Sequence, residues 1–181
     1  MSIAPPPSDT TATTPRGRKL ATVGRWAPLA VMALAFALRV FHLGSQSLWY
    51  DEAFSVWLAH DGLRDLFSRV ASVDNHPPMF AVLLWGALRL FGESEFAVRT
   101  VSAGASTLAV AGMLRLGTRA GGPALGLAAG LMAALSPFYI YYGQEARGYA
   151  LTLLWGVLAL DAALDSLATN QLRAWLRLGV A

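Results

Sequence analysis

The chain alternates long apolar runs with short polar breaks. The runs are Trp26 to Leu43, Pro77 to Phe91, Phe96 to Leu116, Pro123 to Tyr142 and Tyr149 to Leu167. Most approach the roughly 20 apolar residues that a helix needs to cross a bilayer, and the pattern predicts an all-α, polytopic membrane protein. Pro77 to Phe91 is the exception. As a helix it would reach about 22 Å, short of a hydrocarbon core of about 30 Å.

Charge decides how the runs are threaded, because cytoplasmic loops collect Lys and Arg. If every run were a span, the basic connection Arg115 to Arg119 would face outward. The acidic Gly92-Glu93-Ser94-Glu95 would face inward, against that tendency. Reading Pro77 to Phe91 as an interfacial helix corrects every sign. About four spans remain, with the N-terminus, the Arg115/Arg119 turn and Arg173/Arg177 inside, and an outer loop 44–95 carrying interfacial helices.

Residues 1–25 are rich in Pro, Thr and Ser, then basic at Arg16, Arg18, Lys19 and Arg25. They hold too little apolar surface to fold and are expected to be a disordered cytoplasmic tail before a transmembrane domain, 26–181. A cleaved signal peptide fits less well, since no small-x-small site follows promptly and further apolar runs come later. Arg39, near the end of the first run, must snorkel or face protein. Ala103, Gly104, Ala105, Gly126, Ala129 and Gly130 would let helices approach closely.

Composition agrees with the membrane reading. The chain is 55% hydrophobic and 14% charged, with mean hydropathy +0.47, whereas soluble domains carry about 25% charged residues. A net charge of +3 is too small to suggest nucleic acid. Without cysteine there is no disulfide framework or thiolate metal site, and either redox compartment is allowed. His42, His60 and His76 are too scattered for a zinc site, and no glycine-rich phosphate loop or Ser/His/Asp nucleophile set occurs. No cofactor is defined by the sequence, and a divalent metal stays open.

Chemistry is expected in three polar clusters. Asp51 and Glu52 are adjacent, so on a helix their side chains diverge by about 100° and need not act as a dyad. Either Asp51 is a general base or charge stabiliser with Glu52 holding a neighbour, an acceptor or a metal, or the pair complements a helix dipole. His76, in Asn75-His76-Pro77-Pro78, sits just ahead of a helix start. There it binds a phosphate, or the segment is a cap in which Asn75 or Asp74 satisfies free amides.

The third cluster, Gln144-Glu145-Ala146-Arg147-Gly148-Tyr149, follows an aromatic belt of Tyr139, Tyr141 and Tyr142. Arg147 either pairs with Glu145 at the surface or faces an anionic ligand through its fork of donors. Arg99, just inside an apolar run, needs a carboxylate, phosphate or backbone partner.

In this order, WYDEA, NHPP, GESEFAVR and ALSPFYIYYGQEARGYAL resemble the GT-C-fold membrane glycosyltransferases. The similarity is to the bacterial branch that includes protein O-mannosyltransferase-like and aminoarabinose transferase-like enzymes, and it runs from about Leu38 to Leu160. The resemblance implies a cell-membrane enzyme that moves a sugar from a polyprenyl-phosphate carrier to a protein, lipid or glycan acceptor. Transfer would occur on the extracytoplasmic face, with inversion.

By position, the resemblance makes Asp51 the catalytic carboxylate and Glu52 its neighbour. It puts His76 near the carrier phosphate, makes Arg99 and Arg147 site arginines, and leaves Glu145 and Tyr149 as further substrate-binding candidates. Family members have more spans, so the chain is expected to be a truncated N-terminal part, inactive alone. The alternative is a non-catalytic scaffold or accessory subunit that kept part of the fold. A transporter module fits less well, because polar residues do not line the middle of several spans.

Overall fold

The computed structural model describes residues 15–73 and 76–169, and among them the chain is helical with no strand. The helices are α1 (Pro15–Val40), α2 (Tyr50–Ala59), α3 (Leu63–Val73), α4 (Met79–Phe91), α5 (Glu95–Leu135), α6 (Pro137–Gly143) and α7 (Tyr149–Thr169). The cap expected from Asp74 or Asn75, the first fourteen residues, and Arg173 and Arg177 lie outside the described residues.

Local chemistry sets most boundaries. Helix α1 begins at Pro15, inside the segment expected to be a disordered tail. Proline suits a first helical turn, and Arg16, Arg18, Lys19, Leu20 and Ala21 are good helix formers. At α2, Glu52 reaches back to the Trp49 amide at 3.4 Å, satisfying one free N–H of the first turn. Ser94 caps α5 by accepting from the Ala97 amide at 3.2 Å. Helix α4 ends where Gly92 takes φ 82°, a conformation that costs a residue with a Cβ.

Helix α5 is the spine, and it doubles back. Its backbone leaves helical geometry at Gly121 and Gly122, the latter at φ 85°, and resumes at Pro123. The arms 95–120 and 123–135 then pack backbone to backbone. A Cβ on Gly117 would lie 2.9 Å from Gly126 Cα, and one on Gly130 would lie 2.4 Å from the Leu114 side chain. The small residues expected to permit close approach do so at Gly126 and Gly130, whereas Gly104 faces open space.

The expected run Pro123 to Tyr142 is broken again at Ser136–Pro137, where α6 starts. Pro137 has no amide hydrogen, so the Ala133 carbonyl loses its ordinary donor four residues on. Arg39, fully buried, fills that gap. Its guanidinium donates to the carbonyl oxygens of Ala133 and Ala134 at 3.2 Å and of Ala35 at 2.9 Å, and to Ser106 Oγ at 2.7 Å. Of the two choices open to Arg39, it faces protein, and it ties α1 to both arms of α5.

Helices α5 and α7 are long and apolar enough to cross a membrane; Trp26–Val40 and Met79–Phe91 are shorter apolar helices. On one side of the spine, α2, α3 and α4 build a small core from Leu58, Leu66, Val70, Leu84, Leu88 and Val98. On the other, Ala35 of α1 packs with Val110, Ala133 and Ala134. At the far end, Arg115 and Arg119 pair with Asp161 at 2.8 and 2.7 Å, and Arg119 with Asp165 at 3.1 Å, fixing α7 to α5.

Candidate functional site

One ion pair joins two of the three polar clusters, Asp51-Glu52 and the 144–149 segment, and the third reaches the same segment through His76. Arg99 enters from the first turn of α5 and grips Glu52 of α2 with both ends of its fork, Nε to Oε1 at 2.8 Å and Nη2 to Oε2 at 2.6 Å. Both side chains are buried, at 7% and 1% exposure. Arg99 also donates to the carbonyl oxygens of Leu43 and Gln46 at 2.8 and 2.9 Å and of Ser47 at 3.4 Å. Glu52 Oε1 accepts the Ala146 amide at 2.8 Å. One carboxylate thus holds α2, α5 and the 144–148 loop together.

Burial pushes the Glu52 carboxyl up, but the Arg99 hydrogen bonds, the Ala146 amide and the guanidinium charge outweigh it and hold the group below the ordinary carboxylate range. Of the partners open to Arg99, the structure supplies a carboxylate and backbone carbonyls.

Gln144 fastens the same loop to α1, its Nε2 donating to the carbonyl oxygens of Leu38, Arg39 and Phe41 at 3.2, 3.3 and 2.9 Å. Sequence reading missed this clamp. The signal was weak: a single amide side chain facing the last carbonyls of a helix that ends without a glycine.

Glu145 is buried, and its Oε2 has no hydrogen-bond partner. Burial pushes its carboxyl above the ordinary range; Glu52 and Asp51 add to the shift and Arg147 opposes it. Such a group binds its proton more tightly when folded. The stability that it contributes is present below its unfolded value and is lost as pH rises through the folded one. Glu145→Gln is therefore expected to gain stability over wild type as pH rises above the carboxylate range. Thermal midpoints of the detergent-solubilised protein across pH would check it, and parallel curves would refute it.

Arg147 makes no ion pair with Glu145. Its guanidinium lies over the Tyr149 ring, 5.9 Å from the centroid, and its carbonyl accepts from Ser102 Oγ at 3.2 Å. Arg147, His76 and Tyr149 share the wall of a cavity of about 530 Å³. The rest of that wall is largely apolar, from Leu58, Phe80, Leu151 and Trp155. The result is a groove whose wall combines His76 and Arg147 with a largely hydrocarbon lining.

A second cavity, of about 350 Å³, is lined by Glu52, Arg99 and Glu145 together with His42, Gln46, Trp49, Tyr141 and Gln144. Asp51 lines neither cavity. It is half-buried in the first turn of α2, and Ser55, one turn on and on the groove wall, donates to its carbonyl oxygen at 3.0 Å. The structure therefore brings His76, Arg147 and Tyr149 together, and separately Glu52, Arg99 and Glu145, with Asp51 near both. Among the described residues no group of three His, Cys, Asp or Glu is placed to hold a metal ion.

The sequence model of one family, described as dolichyl-phosphate-mannose-protein mannosyltransferase, matches residues 75–181, more than half of the chain. No curated protein and no solved structure matches significantly.

Proposed function

The chain belongs to the dolichyl-phosphate-mannose-protein mannosyltransferase family, a family of glycosyltransferases with lipid-linked sugar donors, and from that premise we propose that it transfers a sugar from a polyprenyl phosphate to an acceptor on the extracytoplasmic face. The observation that carries this reading is the amphiphilic groove. Arg147 offers positive charge and His76 a ring nitrogen to a phosphate, and Phe80, Leu151 and Trp155 offer hydrocarbon to a prenyl chain. A soluble nucleotide sugar would need no such apolar wall.

In this proposal four spans, contributed by α1, the two arms of α5 with α6, and α7, place the groove at the outer membrane surface. The helices α2 to α4 lie along that surface. Asp51 takes the proton of an acceptor hydroxyl as its oxygen attacks the anomeric carbon, and the bond from that carbon to the phosphate oxygen breaks. The polyprenyl phosphate departs against Arg147, and a single displacement of this kind inverts the anomeric centre. Charge developing on the leaving oxygen is stabilised by donors already in place. Glu52 and Arg99 position these groups and touch neither reactant.

Arg147→Ala is expected to raise the apparent KM for the lipid-linked donor by about tenfold or more, since a hydrogen bond to a charged group contributes about 1.5–3 kcal/mol. His76→Ala should act in the same direction with a smaller effect. Steady-state assays in membranes, titrating the donor at saturating acceptor, measure both. Unchanged apparent affinity in the two variants would remove the phosphate from Arg147 and His76.

A further inference from the structure

We propose that Ser102 of α5 is a positioning residue for Arg147, holding its backbone so that the side chain stays on the groove wall. The assignment rests on the reading of that groove as a lipid-phosphate site, and it adds a residue that lines neither cavity.

Three polar side chains lie along one face of α5 at helical spacing, Arg99, Ser102 and Ser106. All are buried, the two serines fully. A buried polar group is costly unless it is hydrogen-bonded, so each needs a partner. Each finds one on a different segment. Arg99 grips Glu52 of α2, and Ser106 donates to the Tyr139 carbonyl oxygen of α6 at 2.7 Å. Ser102 donates to the Arg147 carbonyl oxygen at 3.2 Å, from 45 positions away.

Helix α7 does not take over that carbonyl. Among the described residues its ladder begins one residue later, with the Thr152 amide donating to the Gly148 carbonyl oxygen at 3.0 Å. On the other side the Arg147 amide donates to the Glu145 carbonyl oxygen at 2.8 Å, closing a tight three-residue turn. Both backbone groups of Arg147 are thus occupied, and the guanidinium is carried over the Tyr149 ring. The spine α5, through Ser102, sets where the loop presents its cation.

Without the Ser102 hydroxyl the Arg147 carbonyl would lose its donor beside a groove, and the loop would relax by turning the carbonyl toward water. Arg147 would turn with it. The test is calorimetric titration of farnesyl phosphate, which carries both the phosphate and a prenyl chain, into the full chain in detergent. Wild type, Ser102→Ala, Arg147→Ala and the double variant are compared, with thermal midpoints measured alongside.

Arg147→Ala is expected to weaken binding by about tenfold or more. Ser102→Ala should weaken it by about three- to tenfold, because the guanidinium is displaced and not removed. Since Ser102 acts through Arg147, the double variant should bind no more weakly than Arg147→Ala alone. In turnover assays in membranes, Ser102→Ala should raise the donor KM and leave kcat at saturating donor near wild type.

Weakened binding in Arg147→Ala together with wild-type binding in Ser102→Ala would overturn the positioning role and leave the phosphate on Arg147. Losses that multiply in the double variant would overturn it too, because a serine that serves packing alone does not depend on Arg147. No binding to wild type, or wild-type affinity in Arg147→Ala, would remove the phosphate from the groove and this role with it.

Discussion

Arg99→Ala is expected to destabilise the protein by about 3–5 kcal/mol, the cost of leaving a buried charge without its partner. Glu52 would keep the Ala146 amide and lose the fork that holds its carboxylate below the ordinary range. In the wild type the pair's contribution is present above the unfolded value and is lost as pH falls through the folded one, below the ordinary range, so the gap between variant and wild type should narrow in acid. The usual remedy of replacing both partners with apolar residues should fail here. In Glu52→Leu/Arg99→Leu the carbonyl oxygens of Leu43 and Gln46 would lose their donors while still held close to the pair's former place.

The double variant is therefore expected to recover less than half of the loss. Thermal unfolding in detergent of the two single variants and the double variant forms a cycle that measures this directly. A double variant as stable as wild type would mean that the carbonyls find other donors and that the pair is dispensable.

The ion pair also shows where the sequence was legible and where it was not. That Arg99 needs a partner followed from its position inside an apolar run, because an unpaired guanidinium there is expensive. That the partner is Glu52, 47 positions away, rather than a ligand phosphate, depends on how α2 folds against α5, and no periodicity reports that. The divergence of Asp51 from Glu52 was legible: adjacent helical residues point about 100° apart, and the structure buries Glu52 while leaving Asp51 half-buried.

The doubling back of α5 was legible in the break between the runs that end at Leu116 and begin at Pro123, with Arg115 and Arg119 at the turn, and the short reach of α4 in its length. The second break at Pro137 was present in the sequence too, but its consequence was not drawn. A proline inside an apolar run frees a carbonyl, and a buried arginine elsewhere, Arg39, is the kind of group that can pair with it. The two cavities were beyond reach, because their walls come from segments up to about a hundred residues apart and form only when the 144–148 loop is pinned by Glu52 and Gln144.

Asp51→Asn is expected to lower sugar transfer by about 10²- to 10⁴-fold, the range for removing a general base, with membrane insertion and thermal midpoint close to wild type. Stability should hold because the Asp51 side chain makes no hydrogen bond or ion pair among the described residues: Ser55 uses its backbone carbonyl oxygen, which asparagine keeps. The substitution is nearly isosteric and removes only the capacity to take a proton.

Glu52→Gln offers the informative contrast. It stands one residue away, but its loss should appear first as a lowered thermal midpoint, because a neutral amide cannot match the Arg99 fork with two acceptors. If Asp51 is the base, its variant loses kcat with the donor KM little changed, and raising the pH does not rescue it. If Asp51→Asn turns over normally, the proton must go elsewhere. Glu145, buried and holding its proton above the ordinary range, is then the next carboxyl to substitute, because Glu52 is already committed to Arg99.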